Sequence, residues 1–550
     1  MILSKESYYN LDIDYIKERV NVFTPYGDQL KRGLKPLGPE HIETIQQCYD
    51  ETEVVMGLLE KHRYTFVELR NFFKHINDLT GTFNRLLAEE VLSVTELFEI
   101  KTLVTMMGRM VKLLEKVNDQ LPENVKIHRM QSIETLMDPE GYGVNTFYIY
   151  DGYSRKLKTI RQDLKAVEYL ISKIKKDRKD LVESSLGVKV RLNGEIVVKK
   201  EEKELMASLN DSSLLIYTAE TYMSVTYKIC STEELDRLEE QITELKREEE
   251  AEEYVVRKQL SIELVEYLEA LKANCNRIGA LDLLLARGYY AIGIEGVKPT
   301  LLSEERLAIV DGRHLKIAFS HRAEKKPYTP VSITLEKGVS CITGANMGGK
   351  TVTLRMVGML TAMAQMGLFV PAREMSFSPR NFVYISVGDD QSTDKGLSTF
   401  GAEIEHMKEV ISMAELKGLI LVDELASGTN PKEGYAISKA IINYLKQKNS
   451  MTVITTHFDG LADDDDVCHY QVSGLSNVDF DALLIELKSD ELLGMERIHE
   501  HMDYRLKVIH NNEEVPKDAI NISRLMGLDQ EILEDAKDIL SSFIKTGGNN

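Results

Sequence analysis

Val339-Ser340-Cys341-Ile342-Thr343-Gly344-Ala345-Asn346-Met347-Gly348-Gly349-Lys350-Thr351 is the stretch from which the rest of this chain can be read. The strand-like run Val339–Thr343 leads into a segment that fits G-x-x-x-x-G-K-[ST] at every fixed position. A helical run from Thr351 to Met366 follows. Glycines let the backbone curl so that successive N–H groups point at phosphate oxygens, and the helix N-terminus adds its positive dipole. The order strand, loop, helix therefore predicts an ATP site. In it Gly344, Ala345, Asn346, Met347, Gly348 and Gly349 cradle the phosphates, Lys350 bridges the β- and γ-phosphates, and Thr351 offers its hydroxyl oxygen to Mg²⁺. Met356, Met359, Met363 and Met366 recur at the spacing of a buried helix face and read as core packing.

Three further segments gain meaning from that loop. Leu419-Ile420-Leu421-Val422-Asp423-Glu424 is an apolar strand that carries two carboxylates to its carboxyl end, where ligands bind in open α/β sheets. Such a run is common and mostly structural by itself. Behind a phosphate loop it predicts Asp423 as a second Mg²⁺ group and Glu424 as the residue that polarises the attacking water. Met451-Thr452-Val453-Ile454-Thr455-Thr456-His457 is another strand, ending in a histidine expected beside the γ-phosphate. Between the phosphate loop and the Asp423-Glu424 strand, Ser398 stands near the start of a helix beginning around Gly401, which makes a second anion site whose ligand composition alone does not name.

The chain has 550 residues, too many for one core. Five scattered cysteines without C-x-x-C spacing read as reduced thiols rather than a disulfide framework or zinc site. No run of 18 apolar residues is present and the N-terminus lacks the pattern of a secretory signal, so the cytoplasm is the expected address. A net charge of −20 permits nucleic-acid binding only where positive charge is concentrated locally. Ser154–Glu183 is such a place, with ten Lys/Arg against five Asp/Glu, whereas Ser231–Val255 holds eleven Asp/Glu against three Lys/Arg. Both lack proline and read as long helices. The segment 184–230 between them has the strand-like runs Glu195-Ile196-Val197-Val198 and Met223-Ser224-Val225-Thr226-Tyr227, with six basic and six acidic residues. Helix out, small tip and helix back describe an antiparallel arm. Its basic helix either faces its acidic neighbour or contacts nucleic acid. Asp463 to Asp466, followed by Cys468 and His469, read as a solvated loop rather than a metal site.

The phosphate loop, Ser398-Thr399-Phe400, Asp423-Glu424-Leu425-Ala426-Ser427-Gly428-Thr429 and Thr455-Thr456-His457 together resemble the MutS family of ABC-type ATPases. Gly367-Leu368-Phe369-Val370-Pro371-Ala372 and Gly428-Thr429-Asn430-Pro431-Lys432-Glu433-Gly434 look most like its second, recombination-associated branch. Weaker similarity begins at Thr24-Pro25-Tyr26-Gly27. The resemblance implies a multidomain chain: an all-α core over 1–153, lever helices over 154–270 with a clamp-like tip at 184–230, and a return to the core over 271–305. An α/β P-loop ATPase domain over 306–480 and a C-terminal β segment with a helical dimerisation tail over 481–550 would complete it. It also implies a dimer enclosing two ATP molecules, with Lys350 and Thr351 as phosphate and Mg²⁺ ligands and Asn346 in the loop. Asp423 and Glu424 would be the metal and water-activating carboxylates, His457 the switch histidine, and Ser398 the residue that reaches the partner's γ-phosphate. The chain departs from the family at Ala345, usually proline, and at Ala426, usually glycine. No mismatch-reading domain is expected before residue 24, and no nuclease domain before Asn550. Two functions follow as expectations. One is a dimeric DNA-associated clamp of the mismatch-repair or recombination type, without its own mismatch reader. The other is the ATPase component of a reactivating factor for a B12-dependent aminomutase, acting on protein rather than DNA, with a reactivase partner subunit.

Overall fold

The computed structural model describes residues 2–143, 146–344, 349–387, 399–426, 428–458, 460–475, 501–510 and 519–546. The chain divides into two compact units.

One unit comprises Ile76–Leu113 and Ile127–Cys275. Its two longest helices are Arg155–Leu186 and Glu233–Glu266. Ser154 caps the first by accepting the Leu157 N–H, and Gly187, at φ 65°, ends it in the left-handed region. Thr232 caps the second in the same way, and Glu233, Glu234 and Asp236 in its first turn suit the positive end of the helix dipole. Leu157, Ile160, Leu164, Val167 and Ile171 form a buried stripe at helical spacing, and Val167 and Ile171 pack with Leu235 of the returning helix.

Ion pairs run alongside that seam. Lys156 meets Glu252 at 3.2 Å, Arg161 meets Glu249 at 2.7 Å and Glu253 at 2.6 Å, and Lys175 meets Glu239 at 2.7 Å. Partner numbers fall on one helix as they rise on the other, so the pair is antiparallel. The attraction expected between the basic and acidic segments is therefore present, but it uses only part of the positive charge. Lys158, Lys165, Lys173 and Lys176 are exposed and form no ion pair among the described residues.

Between the two helices lie β1 (Glu195–Lys199), the helix Lys203–Asn210, β2 (Leu215–Glu220) and β3 (Ser224–Ile229). The strands form an antiparallel sheet in the order β1-β3-β2. Alternation sends Ile196, Val198, Val225 and Tyr227 inward, onto Val182, Val188, Val190 and Leu209.

The other unit comprises Met1–His75, Leu114–Lys126 and Asn276–Asn550. Its strands are β4 (Thr300–Leu301), β5 (Arg306–Gly312), β6 (Val331–Glu336), β7 (Gly338–Thr343), β8 (Glu374–Phe377), β9 (Val383–Ser386), β10 (Leu419–Val422), β11 (Met451–Thr455), β12 (Val467–Gly474) and β13 (Asp503–Val508). A six-stranded sheet has the order β13-β12-β7-β11-β10-β9, parallel throughout except for the β12–β13 pair. A second sheet has the order β4-β8-β5-β6. The central strands β7, β10 and β11 are nearly continuous apolar runs because a parallel sheet is covered on both faces. The helix Lys350–Gln365 packs on it, and Met356, Met359, Met363 and Met366 are all buried in its core, as their spacing predicts.

The extreme N-terminus, Met1–His75, belongs to this unit. The reason is apolar burial and backbone pairing. Leu11, Ile13, Ile16 and Val20 share one hydrophobic cluster with Leu354, Met359 and Leu421. Gly358 allows that approach, since a Cβ there would stand 2.5 Å from the Leu11 side chain. Val383 donates its N–H to the Ile2 carbonyl at 2.8 Å, and Ile385 donates to the Ser7 hydroxyl at 3.2 Å. The Thr24-Pro25-Tyr26-Gly27 turn is held separately. Asp282, buried in the helix Leu268–Gly293, accepts the N–H groups of Phe23 and Thr24 and the Thr24 hydroxyl, all within 2.8 Å. Among the described residues, no helix is long and apolar enough to cross a membrane.

Candidate active site

The strand order places three loops side by side. β11 lies between β7 and β10, and all three are parallel, so their carboxyl ends deliver Gly344, His457 and Asp423-Glu424 to one edge of the sheet. The histidine is therefore central rather than peripheral.

Gly344 and Gly349 bracket the phosphate loop with φ of 130° and 75°, in the region that favours glycine. A Cβ on Gly344 would lie 3.1 Å from Val472, and one on Gly349 would lie 3.1 Å from the Tyr504 ring. Gly349 is the N-cap of the helix that starts at Lys350. Ala345, Asn346, Met347, Gly348 and Ser398 lie outside the described residues.

Two polar clusters meet at this edge. In the first, Lys350 Nζ donates to the Gly344 carbonyl at 2.7 Å and stands 3.2 Å from His457 Nε2, which is itself 2.8 Å from Glu424 Oε1. In the second, the Thr351 hydroxyl donates to Asp423 Oδ2 at 2.6 Å, and the Thr455 hydroxyl donates to Asp423 Oδ1 at 2.5 Å. The Thr455 oxygen also accepts the Glu424 N–H at 2.9 Å. Asp423 donates its own N–H to the Ser386 carbonyl of β9 at 2.9 Å. Lys350 is buried, and desolvation pushes its ammonium down to about 8, with Glu424 and Asp423 opposing that shift. A buried cation beside a helix N-terminus is matched to an anion.

Sequence reasoning assigned no role to two residues here. Thr455 joins Asp423 to the Glu424 backbone. The register Val422↔Ile454 implies that contact, because the next position on each strand is Asp423 and Thr455. Glu403 accepts the Ala426 N–H at 2.5 Å, a contact for which the sequence carries no signal. Of the four aspartates 463–466, Asp464 pairs with Lys439 at 2.8 Å and Lys446 at 2.9 Å, and Asp466 pairs with Lys446 at 2.8 Å. His469 is 2.8 Å from the Thr343 hydroxyl, inside the sheet.

Residues 340–544, which include every described group named in the two clusters, match the model of MutS domain V. The chain is 28% identical to Endonuclease MutS2 of Halothermothrix orenii over 98% of this chain and 65% of that one. It is 29% identical to Endonuclease MutS2 of Shouchella clausii over 90% of this chain and 60% of that one. Similarity to Endonuclease MutS2 of Acetivibrio thermocellus is higher, 36%, over a shorter stretch that covers 40% of this chain and 27% of that one. Residues 340–544 thus resemble MutS domain V, and the chain is similar to MutS2 proteins along most of its length. It spans somewhat less than two thirds of the length of the first two relatives.

The depressed Lys350 ammonium gives this site a pH signature. A triphosphate placed beside Lys350 would stabilise the charged form and raise the pKa, so its binding would take up protons at a pH between about 8 and the bound-state value. Calorimetric titration with Mg·ATP at pH 8.5, in two buffers of different ionisation enthalpy, should show net proton uptake, which Lys350→Ala abolishes. Equal heats in the two buffers would contradict the assignment.

Proposed function

We propose that this chain binds Mg·ATP at the carboxyl ends of β7, β11 and β10 and hydrolyses it. We further propose that it does so as a dimer whose nucleotide cycle works the helical arm, as lever and clamp, on DNA. The observation that carries the nucleotide reading is the convergence of Lys350, His457 and Glu424 in one chain of contacts beside the Thr351–Asp423 pair.

The residues present fit the metal. The Thr351 hydroxyl and the Asp423 carboxylate are hard oxygen donors already within 2.6 Å of each other, the donor type Mg²⁺ prefers. They would hold the ion, which when bound offsets phosphate charge. Lys350 neutralises phosphate oxygens, and its stem is fixed by the start of its helix. Glu424 orients the attacking water and accepts its proton. His457 relays between the two. Its single Nε2 either donates to Glu424 or accepts from Lys350, never both at once. When phosphate takes the Lys350 ammonium, Nε2–H is left for Glu424.

Dimerisation is supported by the tail helix Gln530–Thr546 and the segment before it, where Met526, Leu528, Ile532 and Ile539 are exposed. Ser398, directly ahead of the helix Thr399–Met413, would complete the partner's site. DNA is favoured over a protein target by the arm. Lys158, Lys165 and Lys176 recur on the side of their helix opposite the Leu157–Ile171 stripe, over roughly 27 Å at 1.5 Å per residue. Exposed Tyr169 lies on the same side.

Glu424→Gln should keep Mg·ATP binding while slowing hydrolysis by roughly 10²–10⁴ in single-turnover assays, the scale of a positioned base. Normal turnover in that variant would refute the role. Charge reversal of Lys158, Lys165 and Lys176 together should weaken duplex binding and flatten its dependence on salt by about 2–3 in log–log slope. An unchanged slope would remove the arm from the DNA interface.

A further inference from the structure

β10 does not run smoothly into the helix Pro431–Leu445. Glu424 and Ala426 adopt φ of 51° and 58°, left-handed values that a side chain disfavours, on either side of Leu425. Such a turn persists only when its surroundings hold it. Three side chains do so. The Thr455 hydroxyl accepts the Glu424 N–H, the Ser438 hydroxyl donates to the Leu425 carbonyl at 3.1 Å, and Glu403 Oε1 accepts the Ala426 N–H at 2.5 Å. Gly434 leaves room for the turn, since a Cβ there would stand 2.6 Å from the Ala426 carbonyl oxygen. Thr455 and Ser438 belong to the sheet and to the helix that follows the turn. Glu403 comes from elsewhere, the helix Thr399–Met413, and it is half-buried. Burial pushes its carboxyl above the ordinary range, and the Ala426 N–H partly offsets that. Ala426 is fully buried, so without Glu403 its N–H would have no described partner.

We infer that Glu403 is a positioning residue for Glu424: by holding the Ala426 amide it keeps the turn in the conformation that aims Glu424 at His457. The inference rests on the hydrolytic reading of Glu424. It also gives the helix that starts just after Ser398 a direct mechanical link to the water-orienting carboxylate. Displacement of that helix pulls on the Ala426 amide and moves Glu424 without touching the nucleotide.

The test uses the full chain. Glu403→Ala should lower kcat for ATP by about 10- to 100-fold, the scale of an ångström-sized misplacement, with KM for ATP held within about threefold. Glu403→Gln, whose amide oxygen can still accept the N–H, should stay close to wild type. Adding Ala426→Gly to Glu403→Ala should restore about tenfold, because glycine takes a left-handed φ without a Cβ penalty. Independently of turnover, hydrogen exchange of the Ala426 amide in the nucleotide-free chain should accelerate in Glu403→Ala and not in Glu403→Gln. Wild-type kcat in Glu403→Ala would overturn the inference. So would equal losses of kcat and ATP affinity without rescue by Ala426→Gly, or an unchanged amide exchange rate. Absence of turnover in the wild type would defeat the hydrolytic reading instead, and the exchange measurement would then decide the Glu403 contact alone.

Discussion

Asp423 is the carboxylate through which the elements of the site are fastened to one another. One of its oxygens takes the Thr351 hydroxyl from the start of the phosphate-loop helix, and the other takes the Thr455 hydroxyl from the end of β11. Its backbone N–H is bound to β9. Charge-assisted hydrogen bonds of this kind are stronger than neutral ones, and here they are shared among separate elements of the sheet edge. Everything proposed for the site depends on that geometry. With Asp423 fixed, the next residue, Glu424, must leave the sheet at a set angle, and His457 stands between it and Lys350.

The same edge carries unspent electrostatic free energy. Lys350 is buried with its charge penalised by desolvation, which the carboxylates of Glu424 and Asp423 partly oppose. The strained turn at Glu424–Ala426 stores conformational energy in the same few ångströms. A polyanion bound at this edge would relieve the first. The arm obeys a complementary logic. Its inner face is neutralised by Arg161 and its carboxylate partners, while its outer lysines keep their charge available.

Much of this was legible in the residues, for reasons that differ by element. The strand before Gly344, the helix from Lys350 and the strand ending at Asp423 could be read because short apolar runs and a helical repeat of methionines alternate with glycine-marked joints. The two arm helices could be read because opposite charge blocks of matching length flank a β-containing tip. Two of the tip's strands were visible as apolar alternation, but β2 was not, since most of its side chains are exposed and carry no such pattern. The packing of residues 1–75 against the C-terminal half was also hidden. The helices at Lys5–Asn10 and Ile13–Arg19 are short, and nothing in their composition says which distant strand they meet. Glu403 was invisible for a related reason. Its role rests on a side-chain-to-backbone contact across 23 residues, and backbone amides leave no trace in sequence.

The proposed function requires that the Lys350–His457–Glu424 edge take a triphosphate. Equilibrium titration of the intact chain with Mg·ATP, beside Lys350→Ala, tests this most directly. Saturable binding of one nucleotide per chain, weakened by at least about tenfold in the variant (1.4 kcal/mol), is the predicted result. Absence of binding by the wild type, or equal affinity in the two proteins, would contradict it.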